Sequence, residues 1–103
     1  MKNCLLIFLI LCSTYKVSAQ ELFSLRGKVT DSDENAIENV GVFITELNKL
    51  VETDENGNFE IALQKGAYTL IADYPGYNTY KSTIKISKNQ KITIKLVSLG
   101  SDV

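Results

Sequence analysis

An all-β fold, a seven-stranded antiparallel sandwich, is what this chain predicts, and three observations carry the prediction. Between residues 25 and 97, apolar and polar residues alternate with a period of two, as strands with one buried face require. Clusters of glycine, asparagine, aspartate and proline interrupt these runs at intervals of roughly 8–12 residues. No stretch repeats its apolar residues at helical spacing, although Glu34 to Val40 has room for one turn of helix.

The first 19 residues have the three parts of a secretory signal. Lys2 supplies the positive start, Cys4 to Leu11 the apolar run, and Val17-Ser18-Ala19 the small residues before a cut, which places cleavage before Gln20. That run is shorter than the roughly 18–20 apolar residues of a membrane span, so the exported chain is expected to carry no transmembrane segment. The expected divisions are a signal at 1–19, a lead at 20–24, the sandwich at 25–97 and a tail at 98–103. Both cysteines, Cys4 and Cys12, fall in the removed part, so the domain is expected to hold together by packing without a disulfide. Beyond the signal, 103 − 19 leaves 84 residues, enough for one core and one domain. Loss of Lys2 and Lys16 takes the basic residues from 11 to 9 against 12 acidic ones, a net charge of 9 − 12 = −3. An acidic balance excludes nucleic acid as the expected partner, because phosphate backbones select basic faces.

Phe23 to Val29 opens the strand pattern, and Gly27 inside it marks a bulge or a close backbone approach. Asp31 to Ala36 is a connection of residues whose side chains bond their own backbone in turns. Val40, Val42 and Ile44 form one inward face, and the opposite face, Gly41, Phe43 and Thr45, is also partly apolar, which puts this strand in the middle of a sheet. Leu50 to Thr53 and Asn58 to Leu63 flank Asp54-Glu55-Asn56-Gly57, where the Asn56-Gly57 step supplies the positive φ angles of a tight hairpin. Phe59 and Ile61 point inward from its second arm. Gly66 opens a turn into a strand that carries Tyr68 and Leu70 inward and ends at Pro75-Gly76, where proline lacks the ladder donor and glycine admits the turn. The last third reads as a long hairpin: Tyr77 to Ile86, a polar turn at Ser87 to Gln90, and Lys91 to Val97, with Ile92, Ile94 and Leu96 facing the core.

Chemistry is sparse. From Gln20 onward there is no histidine, cysteine or tryptophan, so the commonest bases, nucleophiles and transition-metal ligands are missing, and neither an enzyme nor a cofactor is expected. Asp54 to Asn58 superficially resembles a calcium loop, but counting Asp54 as first puts Gly57 fourth and Lys65 twelfth, where an EF-hand needs glycine sixth and glutamate twelfth. A weak calcium site shared with the Asp31–Asn35 cluster is the lesser expectation. Tyr74, Tyr77 and Tyr80 form a candidate glycan-stacking strip, against which Tyr77 also reads as a corner tyrosine whose ring packs and whose hydroxyl bonds backbone. Lys81, Lys85, Lys91 and Lys95 read as solvated strand faces before they read as an anion patch.

The ordered set Gly27-Lys28-Val29-Thr30-Asp31, Glu38-Asn39-Val40-Gly41-Val42, Thr53-Asp54-Glu55-Asn56-Gly57-Asn58-Phe59 and Gly76-Tyr77 resembles the carboxypeptidase-regulatory-like domain, a transthyretin-like (prealbumin-like) Greek-key sandwich. The resemblance runs from Leu25 to Leu96 and departs from the family at Ala36-Ile37-Glu38, where a glycine or proline commonly leads into the strand. It implies that the glycines and the Thr53–Phe59 stretch are scaffold. It also implies a periplasmic or outer-membrane setting, because such domains stand after the signal peptide of TonB-dependent transporters of Bacteroidetes. The chain ends at Val103 without plug or barrel strands, which leaves two readings, a freestanding module or the first part of a longer gene. The expected function is a non-catalytic accessory or interaction module of the cell envelope with a protein partner, a TonB-dependent transporter among the candidates. Phe23–Val29 and Lys91–Val97 are its candidate edges for strand addition. A carbohydrate-binding module is the alternative, and a transthyretin-like hydrolase stands behind both.

Overall fold

The computed structural model describes residues 21–100. The signal and its cleavage point lie outside the described residues. Seven strands follow one another: β1 (Leu22–Thr30), β2 (Gly41–Ile44), β3 (Lys49–Glu52), β4 (Asn58–Gln64), β5 (Gly66–Asp73), β6 (Tyr80–Ile86) and β7 (Gln90–Lys95). They form a sandwich of a three-stranded sheet, β4-β1-β7, and a four-stranded sheet, β3-β2-β5-β6. β1 starts at Leu22, inside the stretch expected as a lead. β2 is central, between β3 and β5, as its two apolar faces require.

Period-two alternation fills the core. Leu25 and Val29 from β1, Val42 and Ile44 from β2, Phe59, Ile61 and Leu63 from β4, and Tyr68, Leu70 and Ala72 from β5 are buried, with Val40, Ile86, Ile94 and Leu96 closing the cluster. Ile92, expected inside, is only half-buried, because β7 is a sheet edge and no neighbour covers its outer flank. Gly27 is extended, and its role is the close approach rather than a bulge. Phe59 is its cross-strand partner, and a Cβ at Gly27 would clash with Cε1 and Cζ of the Phe59 ring.

Two hairpins expected from turn chemistry are crossings instead. Asp54–Gly57 joins β3 of one sheet to β4 of the other, and Ser87–Asn89 joins β6 to β7 across the same gap. A tight turn closes its own hydrogen bonds whether or not the flanking strands go on to pair. At the first crossing Gly57 N–H donates to Asp54 O at 2.9 Å and Asp54 N–H to Asn58 O at 2.9 Å, after which the strands diverge. Only Gly57 takes a positive φ there, at 77°, and Asn56 does not. β7 consequently pairs with β1 in parallel, the one exception to an antiparallel pattern among the described strands. The pairing is parallel because both strands start at the same end, where the Asn89 side-chain oxygen accepts from Ser24 N–H at 2.8 Å.

The connections have their own order. Tyr74-Pro75-Gly76-Tyr77 is a turn closed by Tyr77 N–H donating to Tyr74 O at 3.1 Å, with Gly76 at φ 91°. Gly66 opens β5 directly after the crossing from β4. Glu34 to Val40 forms no helix, and the single 3₁₀ turn among the described residues is at Thr45–Leu47. Ile37 is instead pinned into the core, its N–H donating to Val29 O at 3.1 Å. Buried Thr53 completes this corner, its hydroxyl donating to Ile37 O at 2.7 Å and accepting from Val40 N–H at 2.9 Å.

Candidate interaction edge

Four strands have a free flank, β4 and β7 in one sheet and β3 and β6 in the other. Phe23–Val29, expected as an edge, lies in β1 between two neighbours and offers none. Lys91–Val97 falls largely on β7 and is an edge. Main-chain direction alternates along a strand, so one hydrogen bond fixes the rest. Leu96 N–H donates to Thr30 O at 2.8 Å, which turns the even-numbered residues of β7 towards β1 and turns the main chain of Lys91, Thr93 and Lys95 outward. The side chains of these three are exposed on the outer face of the sheet.

Register puts a second row of cations beside them, Arg26 next to Lys91 and Lys28 next to Thr93. A groove of about 590 Å³ runs over this face from Glu52, Asp54 and Asn58 at one side to Lys91 and Thr93 at the other. Its one acidic side chain in the middle, Glu60, accepts from the Ser24 hydroxyl at 2.8 Å and lies 3.8 Å from the Arg26 guanidinium. Both members of that pair are well exposed, so the attraction is screened and weak.

The candidate glycan residues are placed differently. Tyr74 and Tyr77 are in tilted contact, ring centroids 5.8 Å apart at 51°, and with Tyr80 they are half-buried against the core. The hydroxyl-to-backbone bond expected of Tyr77 is made by Tyr68, which donates to Gln64 O at 2.8 Å. The two acidic loops adjoin, since a Cβ at Gly57 would lie 3.1 Å from that of Ala36. They are the same turn built twice. Asp31 Oδ1 accepts from Asp33 and Asn35 N–H, and Asp54 Oδ1 accepts from Asn56 and Asn58 N–H, all at 2.9 Å. Glu34 at φ 66° holds the place that Gly57 holds at 77°. Among the described residues no three acidic, histidine or cysteine side chains gather as a metal group.

No local sequence pattern marks Glu46. Its carboxylate extends a ladder beyond the end of β2, accepting from Thr69 N–H at 2.7 Å and from the Thr69 hydroxyl at 2.9 Å. The Thr69 main-chain bond foremost, then its own N–H and the Thr69 and Thr45 hydroxyls, lower its pKa from 4.5 to about 2.

The model of the CarboxypepD_reg-like domain matches residues 25–102. The chain belongs to this family. No curated protein matches it. Among solved structures, this CarboxypepD_reg-like domain is similar to a chain of a type II cohesin-X-dockerin complex from Acetivibrio cellulolyticus, at 20% identity and TM-score 0.62 over 72% of this chain and 56% of that one. It is similar to 3-chlorocatechol 1,2-dioxygenase from Rhodococcus opacus 1CP at 10% identity and TM-score 0.64, over 82% of this chain and 62% of that one. A DUF3823 family protein from Bacteroides ovatus ATCC 8483 follows at 17% identity and TM-score 0.60, over 76% of this chain and 45% of that one. These likenesses establish the β-sandwich fold, and the chain spans less than two thirds of each of those proteins. Among the described residues no helix is long and apolar enough to cross a membrane.

Proposed function

We propose that this CarboxypepD_reg-like domain is an exported, non-catalytic interaction module of the periplasmic side of the outer membrane, recruiting a protein partner through the free edge of β7. The observation that carries the reading is the outward main chain of Lys91, Thr93 and Lys95 on an unpaired strand, a template for strand addition. The signal-like start of the chain supports export, and family membership supports an envelope setting with a TonB-dependent transporter as candidate partner. A glycan platform has less support, because Tyr74, Tyr77 and Tyr80 spend much of their ring surface on the core.

Thr93→Pro is the test. It deletes one outward N–H and leaves the bonds to β1 in place, and edge strands accept proline at such positions. Pull-down from envelope extract, read by mass spectrometry with a thermal melt as folding control, is expected to recover an envelope protein with the wild type and lose it with Thr93→Pro. Equal recovery by both chains overturns the edge reading.

A further inference from the structure

Acidic and basic residues are sorted along this chain and then across the sandwich. Residues 31–60 hold nine carboxylates and one lysine, Lys49, whereas residues 74–100 hold five lysines and no carboxylate. The second region contains a near-repeat, Lys81-Ser82-Thr83-Ile84-Lys85-Ile86 followed by Lys91-Ile92-Thr93-Ile94-Lys95-Leu96. The copies are β6 and β7, the edges of the two sheets on one side of the sandwich, while the other side is formed by β3 and β4 with Glu52, Asp54, Glu55 and Glu60. Each copy sends Lys-x-Thr-x-Lys to its outer face and keeps its isoleucines inward. At the open side Ile84 and Ile92 remain half-buried.

We infer that the β7 edge takes an acidic, extended peptide segment, which adds a fourth strand to the three-stranded sheet with its carboxylates facing Lys91 and Lys95 and its apolar side chains covering Ile92. The inference rests on the β7-edge reading above and names the chemistry of its partner. Charge decides which strand is accepted. Lysines on an edge repel another copy of the same strand, and the same lysines favour a strand bearing carboxylates, since opposite charges across a strand pair attract and like charges repel. β7 is preferred over β6 because its inner neighbour repeats the charge: Arg26 stands beside Lys91, whereas Lys81 and Lys85 have Ile71 and Ala67 beside them. The residual exposure of Ile92 adds an apolar half to the match. The fitting segment therefore alternates valine or isoleucine with outward residues, glutamates falling four apart to meet Lys91 and Lys95.

Two synthetic peptides of this pattern, one with glutamate and one with lysine outward, are titrated into the purified isotope-labelled protein, with amide exchange and shift changes followed by NMR. The glutamate peptide is expected to slow exchange at the Lys91, Thr93 and Lys95 amides and to bind about tenfold or more tightly than the lysine peptide, with affinity falling as salt rises. Lys91→Glu/Lys95→Glu, both exposed positions, is expected to reverse the preference without altering the melt. Equal protection of β7 by both peptides overturns the acidic partner while leaving the edge reading intact. Protection at β6, or no protection by either peptide, overturns the inference, with the Thr93→Pro pull-down then deciding the edge reading separately. Self-association of the free protein that Lys91→Glu abolishes assigns the edge to a second copy, bound through its acidic side, and also overturns it.

Discussion

Gly27 and Phe59 are two halves of one packing decision. A strand interior gains nothing from glycine's freedom, yet here the absent side chain is the space the ring occupies. Gly27→Ala is expected to cost about 1–3 kcal/mol, as overpacking does, and Phe59→Leu in the same chain to return part of that loss. Urea denaturation of both single variants and the double variant checks it, strict additivity being the contrary result. The paired aspartate loops offer a second residue-scale test. Gly57 is hemmed in, with a Cβ there reaching 2.6 Å from Val29 O, whereas Glu34 in the equivalent place has a side chain, is exposed and bears the left-handed strain. Glu34→Gly is expected to stabilise the fold by about 0.5–1 kcal/mol, a rise of several degrees in Tm, despite the larger unfolded-state entropy of glycine. A lower Tm would show that Glu34 contributes more than its backbone strain costs.

At the scale of the elements, side chains finish ladders that strands leave incomplete: Asn89 for β7 beside Ser24, and Glu46 for β2 beside Thr69. The Glu46 case has a pH signature. Its folded-state pKa of about 2 lies below the ordinary 4.5, so the ionised carboxylate contributes stability above pH 4.5 that is lost as pH falls towards 2. Wild type is expected to exceed Glu46→Gln in urea midpoint at neutral pH, the two curves converging between pH 4.5 and 2. Parallel curves would exclude the carboxylate. Glu46 was invisible in the sequence because nothing local distinguishes it from any exposed glutamate, and its partner lies 23 residues ahead. The strands themselves were readable from Val42, Phe59, Tyr68 and Ile94, since period-two burial is local. Their pairing was not. Asp54–Gly57 and Ser87–Asn89 have hairpin chemistry, and only the match of Leu25 to Ile61 and Val29 to Ile94 across distant strands tells that they turn corners between sheets.

For the whole molecule, fold class and family follow from an ordered set of residues: Gly27 at the close approach of β1 to Phe59, and Thr53 to Phe59 and Gly76 at corners that any sandwich of this plan must make. The candidate site was half readable. Lys91–Val97 was readable as an edge with Lys91 and Lys95 on its charged face, but that Phe23–Val29, which looked equally edge-like, is an interior strand is a property of topology alone. The sorting of charge follows the same rule: acidic and basic stretches are plain in the chain, and only the crossing of β6 to β7 puts the lysines on one side.

The parallel contact of β1 with β7 has a mechanical consequence. The first and last strands lie side by side and run the same way, so tension applied at the two ends of the domain pulls them along each other instead of peeling them apart. Ser98 and Leu99, tied to Tyr77 and Gly76, would come away first. The load would then fall on every rung between Leu25 and Lys95 at once, the geometry in which weak bonds resist force collectively.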